Sequence, residues 1–212
     1  MKINYNEVFK ERINEISNLN DKPSLFLHAC CGPCLTYPLS ILVKYFKVTV
    51  GYINPNIYPE SEYDLRFNEL KRFVDEYSKD ENVNINVVSF KYNYNDYLCA
   101  VKGYEDNIEG GERCTICHRL RLSLAYDYAE ENKFDYFATV MTVSSKKPSN
   151  LLNEIAIDLS KDKKTKYLPS DFKKENGNLK GIQIAKHYNL YRQCYCGCSF
   201  SYEEMQKRIK KQ

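Results

Sequence analysis

Residues 24–34 read SLFLHACCGPC, and this stretch decides the fold. Its apolar first half, Ser24 to Ala29, has the length and composition of a buried strand. It runs through a cysteine-rich turn into LTYPLSILVKYF (residues 35–46), an apolar segment of helix length. Pro33 suits the first turn of that helix, because its fixed φ fits there and its missing N–H is no loss, whereas Pro38 predicts a kink. A buried strand that leads through a tight turn into a helix indicates an α/β protein.

The rest of the chain continues this alternation of strand-like and helix-like segments. Strands are predicted at residues 47–53, 84–92, 134–143 and 166–169, and helices at 61–78, 114–132, 148–162 and 178–188. We therefore expect a three-layer, Rossmann-like (HUP-type) parallel sheet with helices on both faces, which binds ligands at the carboxyl ends of its strands. A single domain spans residues 1–212, with an N-terminal helix extension at 1–20 and a cysteine-rich tail and final helix at 189–212.

The composition is that of an ordinary globular protein, with 43% hydrophobic and 28% charged residues in a chain of 212. No apolar stretch is long enough to span a bilayer and no signal peptide is visible, so we expect a cytoplasmic protein without a membrane partner. The net charge of +3 is too small to indicate a nucleic-acid partner. Lysines are concentrated at residues 161–174 and 207–211, and charge alone favours solvated side chains there.

Nine cysteines stand out in this composition. A reducing cytoplasm disfavours a structural disulfide framework, and an odd number leaves one cysteine unpaired in any such scheme. Metal binding or catalysis is the better explanation.

The first cysteine group is Cys30, Cys31 and Cys34. Adjacent cysteines rarely form an unstrained disulfide, since their Cα atoms are only about 3.8 Å apart. They can bind two irons of one cluster if the backbone turns sharply, which Gly32 permits. The nearby helix N-terminus favours thiolates at Cys31 and Cys34. The alternative is that these cysteines are small buried apolar residues.

The second group is Cys114 and Cys117, spaced C-x-x-C at the start of a predicted helix. Alone, this spacing fits a metal, a cluster or a thioredoxin-like dithiol. Combined with Cys30 and Cys31, it provides the four thiolates of a [4Fe–4S] cluster. Spacing does not exclude zinc, but the adjacent pair favours iron–sulfur.

The third group is Cys194, Cys196 and Cys198. A Cys-x-Cys pair forms a small, strained and therefore redox-labile disulfide, or supplies ligands to a second metal. Cys99 has apolar neighbours and is predicted to pack in the core.

Other polar residues lie near the cysteine groups in the sequence. His28 and His118 are candidate metal ligands or neighbours of such ligands, but a structural role is the preferred prediction for each. Asp171 is a candidate polar site residue, or caps a helix or pairs with a lysine. Arg113, Arg119 and Arg121 flank the C-x-x-C and face an anionic ligand or pair with the acidic loop at residues 103–112.

Six ordered motifs together resemble the cobalamin-independent epoxyqueuosine reductases, the QueH family. They are LHACCGPC, GYINPNIYPESEYDLRFNELKRF, ERCTICHRLRL, TVMTVSSKKP, LPSDFKKENG and LYRQCYCGCSFS. These motifs lie between residues 27 and 201, and the resemblance covers residues 25 to 202. One C-x-x-C is weak evidence, but six motifs in order with three cysteine groups are highly specific. The first twenty residues fall outside the resemblance.

The resemblance implies that Cys30, Cys31, Cys114 and Cys117 bind a [4Fe–4S] cluster and that Cys196 and Cys198 are redox-active. Some members hold a further mononuclear iron. In this chain Cys34 occupies the position where such a member has an aspartate, and Cys194 is an additional thiol. Whether a second metal is bound therefore stays open, and its candidate residues are Cys34, Cys194 and Asp171.

The implied reaction removes the epoxide oxygen of epoxyqueuosine at the tRNA wobble position, giving queuosine as the last step of its synthesis. It consumes two electrons from a donor that the sequence does not identify. Proteins usually recognise splayed bases of RNA loops by stacking and hydrogen bonding. Candidate substrate-binding residues are Arg113, Arg119, Lys173, Tyr191 and Arg192.

Two other functions remain open. The cysteine pattern also resembles heterodisulfide reductase modules, although those carry a longer upstream pattern, and a zinc-stabilised RNA-binding domain is a non-enzymatic alternative. The first strand, loop and helix are similar to those of ATP-pyrophosphatase-type enzymes. However, CCGPC replaces their phosphate loop, so we expect no use of ATP.

Overall fold

A five-stranded, fully parallel sheet forms the centre of the protein in the computed structural model, which describes residues 3–210. The strands are β1 (Ser24–Ala29), β2 (Lys47–Tyr52), β3 (Asn86–Ser89), β4 (Tyr136–Thr139) and β5 (Lys166–Tyr167), in the order β3-β2-β1-β4-β5. The chain winds outward from β1 in one direction and then returns to β4 on its other side. Strand order therefore reverses beside β1, where sheets of this kind bind their ligands.

Eight α-helices surround the sheet in the described residues. They are α1 (Tyr5–Ser17), α2 (Gly32–Leu42), α3 (Glu60–Asp80), α4 (Tyr94–Ala100), α5 (Glu112–Glu131), α6 (Ser149–Leu159), α7 (Gly177–His187) and α8 (Ser199–Ile209). None of the helices in this part of the chain has the length and apolar character needed to cross a membrane.

Alternating side chains of β1 divide the core into two layers. Leu25 and Leu27 pack with α2 and α3 on one face, whereas Phe26 packs with α5 and α6 on the other. All three side chains are fully buried, as expected of a central parallel strand. The predicted α/β fold with helices on both faces is confirmed, and the narrower HUP-type assignment stays a prediction.

Several element bounds differ from the sequence predictions. Pro38 lies inside α2 without ending the helix. The predicted strand at 134–143 ends at Thr139, because Val140–Val143 forms a 3-10 turn in which the Thr139 hydroxyl accepts from the Met141 amide. Residues 1 and 2 of the predicted N-terminal helix and Lys211 of the basic segment lie outside the described residues.

The prediction that Cys99 packs in the core is wrong. Cys99 lies in α4, a helix that the sequence analysis did not predict, and its side chain is exposed. The helical repeat directs Tyr97 and Val101 inward and leaves Cys99 on the outer face.

Candidate active site

A cavity of about 570 Å³ opens at the carboxyl end of the sheet. Cysteines from all three sequence groups line it, namely Cys30, Cys34, Cys114, Cys194 and Cys196. The first group follows β1, the second lies on α5 and the third precedes α8. Segments far apart in the sequence therefore bring thiols to one place, as the cysteine pattern predicts.

The thiols of Cys30, Cys31 and Cys34 form a compact group at the N-terminus of α2. Their sulfur atoms all lie within 4.8 Å of one another, and the Cys30 and Cys31 Sγ atoms are 3.9 Å apart. Hydrogen bonds from Cys31 and Cys34 lower the pKa of the Cys30 thiol, whereas its thiolate raises the pKa of Cys31 to about 12. Three soft donors at this spacing are suited to hold a metal.

Cys114 and Cys117 lie in the first two turns of α5. The Gly110 amide donates to the Cys114 Sγ at 3.2 Å. Cys117 is buried, and burial raises its pKa to about 12 although Arg121 opposes this shift. These two thiols do not belong to the compact group at α2, so the four predicted cluster ligands form two pairs on opposite elements.

The tail carries Cys196 and Cys198 into the site. Cys198 is the N-cap residue of α8 and is buried in a small cluster with Tyr97 and Cys117. Cys196 is half-buried and lines the cavity, whereas Cys194 is exposed. The side-chain amide of Gln193 donates to the Cys31 Sγ at 3.1 Å, which joins the tail directly to the first thiol group.

Arg66 holds the tail against α3. Its side chain is 2% exposed, and Nε donates to Glu62 Oε1 at 2.7 Å. The guanidinium also donates to the carbonyl of Cys196 at 3.1 Å and to that of Tyr195 at 3.4 Å, and lies 5.0 Å from the Tyr195 ring centroid. The Tyr58 amide adds a 2.7 Å hydrogen bond to the Gly197 carbonyl. A buried ion pair thus fixes the backbone between the two tail cysteines.

Two further cations line the cavity near the thiols. Arg121 is buried and donates to Asn54 Oδ1 at 2.6 Å, and Lys147 lies half-buried in the loop after the 3-10 turn. Burial lowers the pKa of Lys147, but Cys196, Cys30 and Cys34 outweigh it and raise the pKa. Arg121 follows Cys117 by four residues and so shares its helix face, which is a signal that the sequence offered.

The other arginines predicted near the C-x-x-C point elsewhere. Arg113 is buried beneath α8, where it donates to the Glu105 carbonyl and lies 4.1 Å from the Phe200 ring centroid. Arg119 is half exposed and pairs with Asp158 at 2.9 Å. The structure therefore gives these residues packing and surface contacts, and their predicted binding of substrate remains a prediction.

Asp171 lies away from the thiols. It accepts a hydrogen bond from Ser149 at 2.9 Å and pairs with Lys173 at 3.3 Å. It lines a second cavity, of about 330 Å³, beside α1. The structure does not bring Asp171 and Lys173 together with Cys34 and Cys194.

Tyr191 and Arg192 lie in the tail just before Cys194, and of the two only Arg192 lines the cavity. The Tyr191 amide donates to Glu69 at 2.6 Å and its hydroxyl lies 3.2 Å from Glu62, so this side chain is fixed against α3. Arg192 is exposed and lines the cavity. Of these two predicted substrate-binding residues, only Arg192 is charged, and its exposed side chain lies at the opening of the cavity.

Both predicted structural histidines are buried and neutral. The His28 nitrogens contact Thr139 Oγ1 at 3.0 Å and the Ile53 carbonyl at 3.2 Å, which ties β1 to its neighbours below the site. Burial lowers the pKa of His28 and of His118 to about 3. His118 lines the cavity, and its Nδ1 has no hydrogen-bond partner in the described residues.

Comparison with known proteins assigns the chain to a family. The family model for the epoxyqueuosine reductase QueH matches residues 25–204, which include all three cysteine groups. The chain belongs to this family. It is similar to the epoxyqueuosine reductase QueH of Streptococcus pyogenes serotype M1, with 39% identity over 200 residues, covering 94% of this chain and 78% of the relative.

Other relatives of the same name extend the comparison. The protein of Staphylococcus epidermidis is 37% identical over 202 residues, covering 94% of this chain and 85% of its own. That of Thermotoga maritima is 27% identical over 188 residues, covering 87% of this chain and 93% of its own. The predicted family is confirmed, and the oxidoreductase class follows from it.

Proposed function

We propose that this protein is an epoxyqueuosine reductase, which removes the epoxide oxygen of epoxyqueuosine in tRNA with the help of a [4Fe–4S] cluster. The observation that carries the proposal is the meeting of thiols from three separate segments in one cavity, in a member of the QueH family. We assign the cluster to Cys30, Cys31, Cys114 and Cys117.

The chemistry of the donors supports an iron–sulfur cluster. Iron–sulfur clusters are held by cysteine thiolates, and thiols are the metal-binding groups that dominate this cavity. Cys31 is the N-cap residue of α2 and Cys114 lies in the first turn of α5, where the partial positive charge of the helix end favours a metal-bound thiolate. Ligands of one cluster bind different irons, so the separation of the α2 and α5 pairs is compatible with this assignment.

The tail thiols match the electron demand of the reaction. Conversion of an epoxide to an alkene and water consumes two electrons and two protons. Oxidation of the Cys196 and Cys198 thiols to a disulfide releases two electrons and two protons, so the two half-reactions balance. A bound cluster supplies one-electron transfer between such a donor and the substrate. A separate two-electron reductant must then restore the thiols.

Exposed cations around the opening support an RNA substrate. Lys146, Lys186, Arg192 and Arg208 line the cavity with exposed side chains. Cations of this kind position nucleic acids through the phosphate backbone rather than through the bases. The modified base then enters the cavity while the flanking phosphates remain at the rim.

The compact group of Cys30, Cys31 and Cys34 favours a second candidate, in which these residues hold a single metal ion. Thiolates that bind one tetrahedral zinc are about 3.8 Å apart, close to the 3.9 Å between Cys30 and Cys31. A zinc-stabilised RNA-binding protein with no reductase activity is therefore the alternative function.

Turnover under anaerobic conditions distinguishes the two functions. Iron-loaded protein reduced with dithionite is mixed with tRNA that carries epoxyqueuosine, and the nucleosides are analysed by mass spectrometry. We expect epoxyqueuosine to lose one oxygen and become queuosine. Cys196→Ser and Cys198→Ser should slow this conversion, whereas Cys99→Ser, a change at an exposed thiol on α4, should not. Unchanged epoxyqueuosine with the iron-loaded wild type would contradict the proposal.

A further inference from the structure

Arg121 is a buried cation without an anionic partner. Its side chain is 2% exposed on α5, and it donates to the neutral amide oxygen of Asn54 at 2.6 Å. Its Nε has no hydrogen-bond partner, and no carboxylate pairs with it among residues 3–210. Asn54 itself is fixed, because its amide donates to the Ala29 carbonyl at 2.9 Å.

Arg66 shows what this protein does with a buried guanidinium elsewhere. Arg66 is equally buried, but its Nε pairs with Glu62 at 2.7 Å. Removing a charge from water is costly unless an opposite charge repays it. The chain supplies that charge for Arg66, whereas residues 3–210 supply no carboxylate for Arg121, so the site of Arg121 requires an anion of another kind.

Arg121 lines the same cavity as Cys30, Cys114 and Cys196, and it lies one helical turn after Cys117 on α5. Lys147 lines the same cavity and adds a second cation without an ion-pair partner in the described part of the chain. Two such cations facing three cysteine groups indicate that the occupant of the cavity is negatively charged.

We propose that Arg121 is the counter-ion of the metal–thiolate centre and that its charge raises the reduction potential of that centre. The inference rests on the proposed function and extends it to a residue that binds neither metal nor substrate. A nearby positive charge stabilises the reduced centre more than the oxidised one, because reduction adds negative charge. Arg121 thus acts through its charge on the centre and not by contact with the substrate, and this charge makes the centre easier for a donor to reduce.

The position of Arg121 on α5 supports this role. It follows Cys117 by one helical turn, so the helix itself fixes the distance between charge and thiol. Low exposure keeps the interaction from being screened by salt. Arg119, two residues earlier on the same helix, is 51% exposed and already paired with Asp158, so its charge should have little influence on the site.

The test measures the midpoint potential of reconstituted protein by a redox titration followed by electron paramagnetic resonance. Arg121→Met removes the charge, Arg121→Lys keeps it, and Arg119→Met is the matched control. All proteins are loaded anaerobically, and iron and sulfide are counted first. We expect a more negative midpoint for Arg121→Met, a midpoint close to wild type for Arg121→Lys, and no change for Arg119→Met.

Arg121→Met also removes the hydrogen bond to Asn54, so a second variant guards against misfolding. Lys147→Met alters the charge in the same cavity without that contact, and should shift the midpoint in the same direction. Loss of iron from Arg121→Met but not from Arg121→Lys supports the proposal, because the charge is then needed to retain the centre.

Two results overturn the inference in distinguishable ways. Wild type that contains no iron after anaerobic loading overturns the proposed function as well. Full iron content in Arg121→Met and Lys147→Met with unchanged midpoints overturns the role of the charge alone. Weaker tRNA binding with an unchanged midpoint also overturns it, since the charge would then serve an RNA phosphate.

Discussion

Arg66→Met should release the tail that carries the redox cysteines. The substitution removes a hydrogen bond of 3.1 Å to the Cys196 carbonyl, a longer one to Tyr195, and the contact with the Tyr195 ring. On the scale of charge-assisted hydrogen bonds and desolvated cation–π contacts, these interactions stabilise the docked tail by about 3 kcal/mol. Since about 1.4 kcal/mol corresponds to a factor of ten, the undocked population should rise about 100-fold.

Alkylation of Cys198 reports that population, because this thiol is buried when the tail is docked. Iron-free, reduced protein is treated with a maleimide, and the rate at Cys198 is followed by mass spectrometry of peptides. Arg72→Met is the matched control, since Arg72 also lies on α3 and donates to the Tyr188 carbonyl, but is 39% exposed. We expect less than a tenfold effect there. Equal rates in the two variants would refute the assignment of Arg66 as the clamp.

Two further predictions concern the tail and the base of the sheet. Gly197→Ala should also speed alkylation of Cys198, because Gly197 has φ +143° and an added Cβ would lie 3.1 Å from the Asn56 side chain. Gly103→Ala is the control, since Gly103 has φ +87° and open space around it. It should cost backbone strain alone, about 1–3 kcal/mol in the free energy of global unfolding, without faster alkylation. Asp135→Asn should lower the free energy of unfolding by less than about 1 kcal/mol at pH 7, because hydrogen bonds from Ser24 lower the pKa of this carboxyl while solvent screens its exposed side chain. That stability is present above the unfolded pKa of 3.8 and is lost as pH falls through the lower folded value, so urea unfolding should show the difference vanishing in acid. A difference that persists at low pH would contradict this explanation.

The sequence predicted the parts of this molecule that depend on local pattern. Buried strands such as Ser24–Ala29 are continuous apolar runs, and the helix after CCGPC follows from the turn chemistry of Pro33. The cysteine groups could be recognised from the sequence because the number and spacing of cysteines indicate metal binding or redox chemistry. Tyr97 lies in the short helix α4, whose inward-facing apolar residues are too few for their spacing to predict a helix.

The roles of Arg66 and Arg121 could not be assigned from the sequence, because they depend on burial and distant contacts. Arg66 becomes meaningful when it meets the carbonyl of Cys196, which lies at the other end of the chain. Arg121 resembles Arg119 in sequence, and the two differ only because one is buried without a carboxylate and the other pairs with Asp158 at the surface. The spacing from Cys117 places Arg121 on the thiol-bearing face of α5, but only the structure shows that, among residues 3–210, Arg119 pairs with a carboxylate and Arg121 does not.

Metal analysis of anaerobically purified protein tests the central claim most directly, namely that two cysteine pairs from distant segments hold one iron–sulfur cluster. We predict about four irons and four sulfides per chain in the wild type and in Cys99→Ser. Single serine substitutions of Cys30, Cys31, Cys114 and Cys117 should each lower both counts. Zinc without iron in protein protected from oxygen, or a full cluster in Cys114→Ser and Cys117→Ser, would contradict the account.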